Sequence, residues 1–68
     1  MSLTTEEQLK EIKGKKVEVA TDHVLIEGIL VKVKDGIIEI VETVTGYEEI
    51  TRLVIIPIFA INFIRIRL

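Results

Sequence analysis

The side chains able to do chemistry in this sequence are chiefly cations. Lys13, Lys15 and Lys16 crowd one short stretch, while Lys32 with Lys34 and Arg65 with Arg67 form two spaced pairs. The first group lies at the expected helix–strand junction, and the two pairs are alternate residues of a strand, which share a face; each group could contact phosphate, and repetition in an assembly would multiply a weak contact. The same cations are interspersed with Glu18, Glu27 and Glu39, which is also the ordinary make-up of a solvated surface. His23, the only histidine, follows Asp22; the two readings are a base or metal ligand and an exposed turn residue. For catalysis the inventory is thin. Cysteine is absent and the only serine, Ser2, is the second residue of the sequence, outside any expected element, so no serine or cysteine is expected to be held against a base as a nucleophile. The four glycines are isolated and make no phosphate-cradling loop. No enzymatic activity, no metal and no cofactor are expected. Of the three aromatic residues, Phe59 precedes the last strand and either points into a pore or partner groove or packs at a corner. Phe63 lies in the last strand itself. Tyr47 sits in a polar loop beside Glu48 and Glu49, which disfavour nucleic acid.

These residues must be positioned by a small scaffold. A chain of 68 residues buries only about 60% of its unfolded surface, and without cysteine no disulfide can supplement the core, so self-association is the expected supplement. Hydrophobic residues make up 49% of the chain and aromatics 4%. The core is therefore built from Ile, Val and Leu, which suit a pleated sheet. A net charge of −2 gives no global attraction for a polyanion. The longest apolar run, Leu53 to Ile61, is interrupted by Pro57 and is far short of the roughly 20 residues that cross a bilayer. No basic segment followed by an apolar one opens the chain, so no secretory signal and no membrane partner are expected, and the expected compartment is the cytoplasm.

The pattern predicts one all-β domain over residues 1–68 with a short N-terminal helix. Thr4 and Glu7 have capping-box spacing, Glu6 and Glu7 suit the positive end of a helix, and Gly14 supplies a stop, giving a helix over about 4–13. Leu9 and Ile12 share a face that would lie on the sheet as a lid. Period-two alternation then predicts strands over about 15–21, 24–34, 37–44, 50–56 and 61–68. In the second strand Ile29, Val31 and Val33 are expected on one face with Glu27, and Ile26 and Leu30 opposite, with Gly28 marking a sharp bend. Asp35-Gly36 is the strongest hairpin signal. Thr45 to Glu49 reads as a polar turn. Pro57 ends a strand or sits on an edge, and the three-residue spacing of Ile58, Ile61 and Ile64 predicts a 3₁₀ turn before the last strand.

Gly14-Lys15-Lys16-Val17-Glu18-Val19, leading to Glu27-Gly28-Ile29-Leu30 and Lys34-Asp35-Gly36-Ile37, resembles the first Sm motif. Pro57-Ile58-Phe59-Ala60-Ile61-Asn62-Phe63-Ile64 occupies the place of the second. The resemblance covers nearly the whole chain and implies an Sm-like or SH3-like five-stranded bent barrel. It also implies a homo-oligomeric ring of six or seven subunits, with the fourth strand of one copy paired to the fifth of the next. The interface would draw on Leu53, Val54, Ile55, Ile56, Phe63, Ile64, Ile66 and Leu68. Many relatives of that kind bind uridine-rich RNA through a stacking side chain and an asparagine after the second strand. Here those positions hold Gly36 and Ile38, or Ile37 and Glu39 in the alternative register, and no basic residue stands at Pro57 to Phe59. An RNA partner would thus rely on Lys13, Lys15, Lys16, Lys32, Lys34, Arg65 and Arg67. The alternative is a ring or barrel that serves as a scaffold for a protein partner.

Overall fold

A computed structural model describes residues 5–44 and 50–67. One helix, α1 (Glu6–Glu11), precedes five strands: β1 (Lys16–Ala20), β2 (Leu25–Lys34), β3 (Ile37–Val44), β4 (Ile50–Pro57) and β5 (Phe63–Ile66). A 3₁₀ turn, η1 (Ile58–Ala60), joins β4 to β5. The expected turn at Thr45 to Glu49, with Tyr47, and the residues Ser2, Thr4 and Leu68 lie outside the described residues.

The helix is capped one residue later than the spacing of Thr4 and Glu7 suggests. Thr5 is the N-cap: its Oγ1 accepts the Gln8 N–H at 3.2 Å, and the Gln8 side chain accepts the Thr5 N–H at 3.4 Å. A glutamine closes the box as well as a glutamate does. The helix is also shorter than expected: Ile12 and Lys13 donate three residues back, to the Leu9 and Lys10 carbonyls, which tightens the last turn, and the chain then leaves for the sheet. Gly14, at φ +92°, donates its N–H to the Leu30 carbonyl at 2.7 Å, and Leu30 donates to the Lys15 carbonyl at 3.1 Å. Leu9 and Ile12 are buried in the core, so the helix does lie on the sheet.

All strand pairs are antiparallel, in the order β4-β3-β2-β1-β5. The first four strands are consecutive neighbours, and η1 carries the chain across so that β5 joins the far side of β1. The sheet is open: β4 and β5 are its two edges, and the described ladders do not pair them to close a barrel. Asp35 (φ +52°) and Gly36 (φ +79°) form the β2–β3 turn, the two positive φ angles of a type I′ hairpin whose twist suits the flanking strands.

The inner face gathers Val17 and Val19 from β1, Ile26, Leu30 and Val33 from β2, Ile38 and Ile40 from β3, Ile56 from β4 and Ile64 from β5. Val33 therefore faces opposite to the expected side. A register shift between Leu30 and Lys32 inserts one extra residue, Val31, and reverses the alternation beyond it. Ile29 and Val31, left behind by the shift, are exposed. At Gly28 an added Cβ would stand 2.4 Å from the Val41 carbonyl oxygen and 2.9 Å from its carbon, so the β3 backbone closes down on β2 at the residue without a side chain.

Candidate functional site

The pairing registers lay out the solvent face of the sheet row by row. Ile29, Val41 and Leu53 stand side by side across β2, β3 and β4, with Leu53 and Ile55 more than half exposed near the β4 edge. On the other half of the sheet Glu18 lies between Glu27 and Arg65. Two like charges directly opposite each other are unfavourable, and three cations offset them. Arg65 pairs with Glu18, Lys16 Nζ lies 3.4 Å from Glu27 Oε1, and Arg67 Nε lies 3.1 Å from Glu27 Oε2. Pairs this exposed each contribute about 0–1 kcal/mol; the Glu18 carboxylate, 10% exposed, depends most on keeping its partner. Arg65 also sits 5.7 Å from the Phe63 ring centroid, within cation–π range.

The candidate phosphate-binding cations thus separate into two sets. Lys16, Arg65 and Arg67 belong to this carboxylate network, and Lys32 Nζ lies 3.7 Å from Glu39 Oε2. Lys13, Lys15 and Lys34 are exposed and form no ion pair among the described residues. At the β2–β3 turn, the two registers that could supply a base pocket hold a buried Ile38, a half-buried Ile37, a lysine-paired Glu39 and a bare Gly36. The Gly36 N–H donates to the Glu6 carboxylate at 3.2 Å, which sets a negative charge against that turn.

The edge residues also divide. Ile56 and Ile64 are buried and Val54 is half-buried against the core, whereas Leu53, Ile55, Phe63 and Ile66 are accessible. Phe59 on η1 is 92% exposed, so it does not pack at a corner.

A second feature was not visible in the sequence. The β1–β2 turn is tied by Thr21, whose Oγ1 accepts the N–H groups of His23 (3.3 Å) and Val24 (3.2 Å). Across from it stand the end of β4, η1 and Asn62, enclosing an open groove of about 400 Å³ lined by Asp22, His23, Ile55, Pro57, Phe59 and Asn62 among others. The Asn62 amide donates to Asp22 Oδ1 at 2.8 Å, and its backbone N–H donates to the Ala20 carbonyl at 2.7 Å. His23 thus lies in the groove wall and is exposed. Among the described residues no group of three or more His, Asp or Glu is placed to hold a metal.

Fold and surface together define a small, mostly β protein made of one five-stranded antiparallel sheet with a helix over its core. No protein family, curated protein or solved structure matches the chain. Among the described residues no helix is long and apolar enough to cross a membrane.

Proposed function

We propose that the protein is a subunit of a self-assembling, Sm-like ring that serves as an oligomeric interaction scaffold. The observation that carries this reading is the strand order: among the described residues β4 and β5 are unpaired edges at opposite ends of one sheet, and each bears accessible apolar side chains, Leu53 and Ile55 on one and Phe63 and Ile66 on the other. An unpaired hydrophobic edge invites another strand. Two different edges, meeting head to tail, make a heterologous contact that generates a ring when the rotation closes. The small core gives such an assembly its free-energy rationale.

Between the two roles open to such a ring, the scaffold is favoured by the carboxylates that already hold Lys16, Lys32, Arg65 and Arg67. Association with RNA is the second reading. It is supported by Lys13, Lys15 and Lys34, exposed and outside the described ion pairs, which a ring would repeat around its axis. Light scattering at micromolar concentration tests the assembly: the expected mass is several times 7.7 kDa, and a clean monomer overturns the ring. The absorbance ratio of protein purified without nuclease separates the roles, since co-purifying RNA supports the second reading and its absence the first.

A further inference from the structure

We infer that the groove between the β1–β2 turn and η1 binds the guanidinium of an arginine carried by a partner peptide. The proposal gives the scaffold reading its partner chemistry and rests on that reading only for the source of the arginine; the groove belongs to a single chain.

The groove is open and encloses about 400 Å³, within the range of roughly 300–1,000 Å³ typical of small-molecule sites. Its charge selects a cation. Asp22 is the one carboxylate in the lining, no lysine or arginine lines it, and Asp22 enters no ion pair among the described residues. The same carboxylate disfavours a phosphate. Asn62 donates to Asp22 Oδ1 at 2.8 Å, which ties the two side chains together, and among the described residues Asp22 Oδ2 and the Asn62 amide oxygen accept no side-chain hydrogen bond. Two neighbouring acceptors suit the planar fork of a guanidinium better than the compact ammonium of lysine. Phe59 supplies the remaining element. Its ring, 92% exposed, offers a face on which a guanidinium can stack, while Ile55, Pro57 and Ala60 offer an apolar wall for the methylene stem.

A second copy of this chain is a poor source for that arginine. Arg52, Arg65 and Arg67 are each held by a carboxylate of their own chain, so donating one would break an existing pair. The occupant is therefore a different protein.

The test titrates the full chain, followed by ¹H–¹⁵N NMR, with N-acetyl-argininamide, its neutral isostere N-acetyl-citrullinamide, and N-acetyl-lysinamide, with mass measured by light scattering on the same sample. The expected result is saturable shifts at His23, Ala60 and the Asn62 side-chain amide, with a dissociation constant on the order of 1 mM for the arginine probe. The citrulline probe should bind about tenfold more weakly, as the loss of a charge-assisted hydrogen bond implies, and the lysine probe should fall between them. Asp22→Asn keeps an acceptor for Asn62 and should reduce arginine binding to the citrulline level. Phe59→Ala alters a ring outside the core and should weaken binding about two- to fivefold. Equal binding of arginine and citrulline, lysine binding as tight as arginine, indifference to Asp22→Asn, or no saturable shift overturns the site. A monomer that discriminates the probes supports the site while removing the ring, and a ring that does not discriminate overturns the site alone.

Discussion

Gly28 and Gly36 are glycines for different reasons, and the difference can be measured. At Gly28 any Cβ would meet the Val41 backbone, 2.4 Å from its oxygen, and Ile40 Cγ2 at 2.7 Å. Backbone cannot rotate away as a flexible side chain can, so Gly28→Ala should destabilise the fold by about 1–3 kcal/mol or more. At Gly36 the space is open and the demand is a φ of +79°, a conformation asparagine tolerates. Gly36→Asn should therefore stay within about 1 kcal/mol of the parent in urea unfolding. Equal midpoints for Gly28→Ala and the parent would contradict the close approach. The sequence indicates that Gly28 is special, because a glycine inside an apolar strand stands out; it cannot indicate the Val41 carbonyl, which only the β2–β3 register brings there. The groove was illegible for the same reason. Asp22 and Asn62 are separated by 40 positions, and neither has a local pattern that points to the other, so His23 in isolation reads only as a residue of a polar turn.

Periodicity at the scale of elements specifies faces well until something changes the count. The alternation in β1 and the Asp35-Gly36 turn are read directly from residue types, and the 3₁₀ turn at η1 from a spacing of three. The bulge at Val31 is not, since Lys32 and Val33 fit either parity until the partner strand is known. The helix cap shows a milder form of the same ambiguity, with Thr4 and Thr5 each followed three residues later by a suitable acceptor and only the geometry choosing Thr5. β5 makes a test at this scale. Ile64, opposite Val19, is 1% exposed, while Ile66, opposite Val17, is 39% exposed at the sheet edge. Ile64→Ala should cost about 2–5 kcal/mol of stability. Ile66→Lys should leave the thermal transition cooperative and close to the parent, yet lower the mass seen by light scattering. If Ile66→Lys unfolds the chain, β5 serves the core throughout; if neither variant alters stability or mass, the assignment of this strand to packing and assembly is wrong.

For the whole molecule the deciding quantity is how many cations a phosphate backbone could engage without dismantling the surface. The net charge is −2, so attraction must be local, and four of the seven candidate cations already hold Glu18, Glu27 or Glu39. Lys13, Lys15 and Lys34 remain. On single-stranded RNA the logarithm of affinity falls by about 0.7 per phosphate contact for each decade of salt, so three contacts per subunit give a slope near −2 and the full set of seven a slope near −5. Fluorescence anisotropy with oligo-uridine and oligo-cytidine at two salt concentrations measures both slope and base preference. We expect weak binding, a slope no steeper per engaged subunit than the three-cation value, and no preference for uridine, because Gly36, Ile37, Ile38 and Glu39 supply neither a stacking ring nor an amide at the β2–β3 turn. Replacing Lys13, Lys15 and Lys34 together by alanine should remove that binding, since each substitution deletes a phosphate contact and none breaks one of the described carboxylate pairs. A tight, uridine-selective complex that resists salt would require a base pocket at that turn and would overturn the scaffold reading in favour of an RNA-binding ring.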